Sequence, residues 1–263
     1  MRVLHVVETY PPYKGGMSEV VRQISERLVM FGHKVTVATS FHPDRQDIEV
    51  KGVAIRQFRI SGNSVYGIKG DSDQYLEFLK NNQFDVITVF AAQQWSCDLL
   101  LDNIELLNGK KVFVPTGFSG LNDKAFVKYF EKMKYSLKCF DQTVFLSKRY
   151  QDFLFSAPYV KEKFKVIPNA ADEREFNSLA TLNIKQQLGI PSDANLLLHV
   201  GSFTGLKGHY EAIEVLEKSK RENTYLVLNG NEVLFKDSFK SRMKRKINKN
   251  YSLCQLKKNI KGH

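Results

Sequence analysis

The sequence predicts an α/β protein whose parallel sheet is covered by helices on both faces. Three observations predict it. Short apolar strand runs alternate with helical apolar stripes along most of the 263 residues. The strand runs are consecutive apolar residues rather than strict alternations, which suits strands buried on both faces. The first strand also leads through a glycine pair into the first helix, the opening of a βαβ unit.

The elements follow in order. Residues 2–7 form a strand stopped by Tyr10-Pro11-Pro12. After Lys14-Gly15-Gly16, the residues Val20, Ile24, Leu28 and Phe31 fall on one helical stripe, and Gly32 caps it. Lys34 to Thr39 is the second strand, Val53 to Ile60 the third, and Tyr75 to Leu79 a short helix. Phe84 to Phe90 is an apolar strand and Trp95 to Leu107 a helix. Lys111 to Val114 is a strand ended by Pro115, followed by a helix over Phe126 to Leu137. Gln142 to Leu146 is a strand, and Ser147 is a plausible N-cap for a helix over Lys148 to Phe155. Phe164 to Ile167 closes the set before Pro168-Asn169. Residues 1–172 therefore read as one doubly wound, Rossmann-like domain.

Residues 173–194 read as a linker. A new cycle follows: a buried strand over Asn195 to Val200, a glycine-bearing loop from Gly201 to Gly208, a helix over His209 to Lys218 and a strand over Tyr225 to Leu228. Residues 195–232 are thus the opening of a second Rossmann-like domain. In the tail, 233–263, the apolar residues Phe235, Phe239, Met243, Ile247 and Tyr251 recur every four positions, the pattern of one amphipathic helix.

Composition narrows the function. At 43% hydrophobic the chain is too apolar for disorder, and no run approaches the roughly 20 apolar residues of a membrane span. The first eight residues are too short and too soon charged for a signal peptide. Cys97, Cys139 and Cys254 are scattered without a CxxC, against a disulfide framework or zinc site and for a reducing compartment. The net charge is +11, but residues 236–263 carry +9 of it. A nearly neutral body with a basic tail is not a general nucleic-acid binder.

Four motifs go further. Ile167-Pro168-Asn169-Ala170-Ala171-Asp172 followed by Phe176 resembles the IPNGVD…F segment between the two domains of family 4 glycosyltransferases. Val200 to Gly208 resembles the VGR…KG loop that opens their donor domain, and Gly15-Gly16 resembles their N-terminal glycine loop. Asp141 to Leu154 resembles the segment before the linker. The four lie in the family's order and spacing over roughly residues 1–230. The resemblance implies a GT-B fold and a retaining transfer from a nucleotide sugar to a glycan or lipid-linked acceptor in surface-polysaccharide assembly.

That chemistry expels a diphosphate. Without a metal, its growing charge must meet backbone N–H groups, helix N-termini and cations. The resemblance implies Gly15, Gly16, Gly201, Ser202 and Lys207 as donor diphosphate contacts, with Lys207 the diphosphate lysine and no metal or other cofactor. Thr116 and Ser119, in Pro115 to Gly120, are the acceptor-side candidates. His5 and His199, in apolar strands, read as packed core histidines, and Trp95 as core.

There are departures from the family pattern. Ser202 stands where many members have arginine, and Thr88 and Phe90 stand where histidines are frequent. After Gly230 the only glutamate is Glu232, whereas the family's donor domain carries an E-x7-E pair. The chain reads as truncated within the donor domain, so a non-catalytic binding or partner module is the alternative. The expected location is cytoplasmic, with residues 236–261 suited to an anionic membrane surface. A solvated or disordered end is the alternative reading of the tail, on an equal footing, and a nucleic-acid contact through it is the weaker one.

Overall fold

The computed structural model describes residues 1–177, 182–203 and 207–230. Expectations for the tail, including its helix and its membrane contact, fall outside the described residues. The chain divides into two compact units between Ala171 and Asp172.

The first unit opens with β1 (Arg2–Val6), α1 (Gly16–Met30) and β2 (Lys34–Ser40). Gly32, at φ +85°, ends α1 as read, with its amide on the Val29 carbonyl. The buried stripe of α1 differs from the expected one. Ile24 is 39% exposed and Phe31 75% exposed, while Ser18, Val21 and Ser25 face inward. Two small serines let the helix lie close to the sheet, and each donates to a backbone carbonyl, of the preceding loop or of the helix itself. Ser18 Oγ donates to the Tyr13 carbonyl at 2.8 Å, and Ser25 Oγ donates to the Val21 carbonyl at 2.6 Å.

Next come β3 (Glu49–Val50), β4 (Val53–Phe58), β5 (Ile60–Asn63) and β6 (Gly67–Gly70). The third expected strand therefore stops at Phe58. Ile60 starts a separate antiparallel hairpin, in which a side chain on Gly62 would strike the Gly67 carbonyl at 2.1 Å. Then follow α2 (Ser72–Asn81), β7 (Val86–Phe90), α3 (Trp95–Asp102), β8 (Lys110–Val114), α4 (Val127–Ser136), β9 (Gln142–Phe145), α5 (Gln151–Val160) and β10 (Phe164–Val166). The expected helix to Leu107 ends at Asp102 and gives way to a 3-10 turn over Ile104–Leu106. Ser147 is not an N-cap. Its Oγ accepts from the Arg149 amide in a turn, and α5 begins only at Gln151.

The eight-stranded sheet runs β10-β9-β8-β7-β1-β2-β4-β3, parallel except for β3 against β4. Neighbouring residues of β1 serve opposite faces: Val3 joins one core cluster and Leu4 the other. This is why these strands read as unbroken apolar runs. Trp95 is fully buried, as read, and its indole N–H donates to Ser40 Oγ at 2.9 Å. His5 is also core, as read. Its Nδ1 lies 2.8 Å from Ser25 Oγ, and burial lowers its pKa to about 4.

The second unit holds α6 (Glu173–Phe176), α7 (Ile184–Leu188), β11 (Asn195–Val200), α8 (His209–Ser219) and β12 (Thr224–Asn229). β11 and β12 pair in parallel. The expected burial of β11 is corrected: Leu197, Leu198 and Val200 are 48%, 58% and 67% exposed. Among the described residues only β12 pairs with this strand, too little to cover both faces. His199 is likewise half-buried rather than core.

Candidate functional site

Parallel strands deliver their following loops to one edge, so the residues after β1, β2, β7, β8 and β9 share the carboxyl edge of the first sheet. The Gly15-Gly16 loop lies there. Gly15 is the N-cap of α1 in extended backbone, and a Cβ on it would touch Tyr13 at 3.0 Å. A Cβ on Gly16 would meet nothing within 4 Å. Nothing among the described residues therefore demands glycine at 16, the first position of α1 at a helix N-terminus.

One residue that sequence reading missed fixes this loop. Arg45, 7% exposed, donates to the Tyr10 carbonyl at 2.7 Å and the Pro11 carbonyl at 2.9 Å. It also donates to the Ser40 carbonyl at 2.7 Å and to Gln57 Oε1 at 3.0 Å. Burial lowers its pKa, but a guanidinium keeps its charge. No periodicity or motif marks Arg45, because its partners are backbone carbonyls brought together only by the fold.

The acceptor-side candidates sit in a strained, braced loop. Ala91, Gln93 and Thr116 have φ near +60°, at +62°, +63° and +59°. Such backbone costs about 1–3 kcal/mol per residue and gathers at functional edges. The Gln93 amide donates to Tyr129 Oη at 2.9 Å, and Tyr129 Oη donates to Asp98 Oδ1 at 2.9 Å. Asp98, 1% exposed, also accepts from the amide and hydroxyl of Ser64 at 2.9 and 3.0 Å. Burial raises its pKa and these bonds oppose the rise. Gln93 Oε1 in turn accepts from the Gly120 amide at 3.3 Å and Ser119 Oγ at 3.4 Å. The Gly117 amide donates to buried Asp152 at 2.8 Å. Thr116 and Ser119 thus share one braced loop, and its brace, Gln93–Tyr129–Asp98, went unread. Glu8, two residues beyond β1, has its pKa raised by burial first and by Asp98 second.

In the second unit Gly201, Ser202 and Lys207 are brought together between β11 and α8. Lys207 is exposed, and a Cβ on Gly201 would lie 3.1 Å from Lys207 Cβ. Among the described residues no group of three or more His, Cys, Asp or Glu gathers to hold a metal ion.

Residues 14–175 match the family described as Glycosyltransferase Family 4. The chain belongs to that family. It is 23% identical over 250 residues to an uncharacterized glycosyltransferase of Methanocaldococcus jannaschii, covering 88% of this chain and 63% of that one. Among solved structures, a sucrose-phosphate synthase from Thermosynechococcus elongatus overlays with a TM-score of 0.69 at 14% identity. That overlay covers 94% of this chain and 67% of the other. The catalytic domain of starch synthase IV from Arabidopsis thaliana, bound to ADP and acarbose, overlays with a TM-score of 0.63 at 13% identity. It covers 95% of this chain and 72% of that domain. The fold of the family 4 chain is the GT-B class. The chain spans about two thirds of the length of these relatives, and among the described residues no helix is long and apolar enough to cross a membrane.

Proposed function

We propose that the chain carries the nucleotide-sugar chemistry of its family: a retaining sugar transfer, without a metal, to a glycan or lipid-linked acceptor of surface-polysaccharide assembly. One observation carries the reading. Both units lead a strand of a parallel sheet through a glycine-bearing loop into a helix, an arrangement that offers backbone amides to phosphate. In this reading Gly15, Gly16, Gly201, Ser202 and Lys207 meet the diphosphate, and Thr116 and Ser119 hold the acceptor. The contact of residues 236–261 with an anionic membrane surface is the charge-based part of the proposal.

Calorimetry with UDP, ADP and GDP in the presence of EDTA tests it. One of them should bind, and Lys207→Met should weaken it about tenfold or more, the worth of a charge-assisted bond. No binding, or equal binding by the variant, defeats the reading. A non-catalytic binding module is the second reading. It concerns these 263 residues taken by themselves, in which Glu232 is the only glutamate after Gly230 and no acidic pair can orient a donor. Poorly held donors rarely reach attack geometry. The 263-residue chain should therefore turn over a nucleotide sugar slowly or not at all, and robust transfer would overturn that expectation.

A further inference from the structure

We propose that His199 and His209 are positioning residues for the donor loop: paired imidazoles that hold its two ends, the Gly201 and Lys207 peptides, in the orientation that receives a diphosphate. The proposal rests on the donor-loop reading above. It begins from two hydrogen bonds that cross. His199, on β11 before the loop, reaches forward to the Lys207 carbonyl with Nε2 at 2.8 Å. His209, the first residue of α8 after the loop, reaches back to the Gly201 carbonyl with Nε2 at 3.0 Å. The two rings meet edge to face, with centroids 4.6 Å apart at 69°.

A carbonyl only accepts, so each Nε2 carries a proton and donates it. The peptide unit then supplies the function. In a planar trans peptide the C=O and the next N–H point in opposite directions. Turning the Gly201 carbonyl onto His209 turns the Ser202 amide away from it. Turning the Lys207 carbonyl onto His199 does the same for the Gly208 amide. Two carbonyl dipoles that would repel a phosphate are thus occupied, and two amides are released to face it.

The surroundings leave this arrangement little room to relax. The Gly201 amide donates to the Asn229 carbonyl at 2.9 Å. A Cβ on Gly230 would lie 1.9 Å from the Gly201 oxygen, so this carbonyl is wedged between Gly230 and His209. His209 is 4% exposed, and the Phe203 ring packs on it at 4.7 Å. Lys207 itself is exposed, so the histidines fix its backbone and leave its ammonium mobile.

The test has two readouts. Histidine-ring 1H–15N correlation spectra of the 15N-labelled chain, without nucleotide, should show both His199 and His209 as Nε2–H. Calorimetry with UDP, ADP and GDP then compares wild type with His199→Phe and His209→Phe, which keep a ring but lose the donor. The Phe variants should bind about tenfold more weakly, the loss of one hydrogen bond. His199→Gln and His209→Gln place an N–H near Nε2 and should restore binding to within about threefold. If His209→Phe fails to fold by circular dichroism, His199→Phe, at the half-buried position, carries the comparison with the Gln variants. Nδ1–H rings, or Phe variants that bind like wild type, overturn the proposal while the donor reading stands. A wild-type chain that binds no diphosphate overturns the donor reading, and the positioning role with it.

Discussion

At the scale of single residues, two buried groups have measurable consequences. His5 is 1% exposed, and its pKa is lowered from 6.5 to about 4 by burial. The unfolded chain binds this proton more readily than the folded one. The contribution of neutral His5 is therefore fully present above pH 6.5 and is lost as pH falls toward 4. The loss is on the order of 3 kcal/mol by pH 4. Denaturant unfolding of wild type and His5→Asn at pH 7 and pH 4.5 isolates it, because the opposing shift of Glu8 is common to both. The variant should lose less stability on acidification; equal losses would contradict the buried neutral ring. Arg45 offers the second test. Arg45→Met removes the donors to three carbonyls and one side-chain amide and leaves them without their partner. It should cost about 3 kcal/mol or more, read from the shift of the unfolding midpoint. Arg45→Lys, which cannot reproduce the fork, should recover only part of that.

At the scale of elements, two glycines near the same sheet edge separate folding from function. Gly120 is required by packing. A Cβ there would lie 2.3 Å from Gln93 Nε2 and 2.8 Å from the buried Phe126 ring. Gly120→Ala should therefore lower the melting temperature by several degrees and disturb the Gln93 brace. Gly16 is not so required, since its Cβ would enter open space at the first position of α1. Gly16→Ala should leave the melting temperature unchanged or slightly raised, because alanine restricts the unfolded chain and favours the helix. Its effect belongs to the ligand: diphosphate binding should weaken. An unaltered affinity in Gly16→Ala would remove this loop from the donor site.

At the scale of the whole molecule, the buried core and the Gly201–Gly208 loop belong to different units. Every buried apolar residue among the described ones lies in residues 1–171 except Ala194. Both core clusters close within that first unit, on the two faces of one sheet. Residues 1–177 alone should therefore fold and melt within about 3 °C of the main transition of the whole chain. Aggregation of that segment, or a much lower melting temperature, would show that the first unit depends on the rest. The second unit presents exposed Leu197, Leu198, Val200 and Val215, and it should exchange its amide hydrogens faster than the first.

The sequence by itself determined the α/β class, the strand order along the chain, the glycine loops and the family. Each is written in local pattern: apolar runs such as Phe84 to Phe90, the stop at Pro11-Pro12, and the Val200 to Gly208 motif with its lysine. Local pattern also misled in α1, where the most apolar stripe is not the buried one: Ile24 points outward and Ser18 and Ser25 point in. Only the tertiary structure decided the sheet order β7-β1-β2 and the Arg45 clamp on carbonyls of the loop after β1 and the end of β2. It alone joined Gln93, Tyr129 and Asp98 beneath Thr116 and Ser119, and His199 with His209 around one loop. The reason is physical. Periodicity reports which face of an element is apolar, but a buried polar group is satisfied by whatever partner the chain brings within about 3 Å. That partner can lie dozens of residues away, and no spacing in the sequence encodes it.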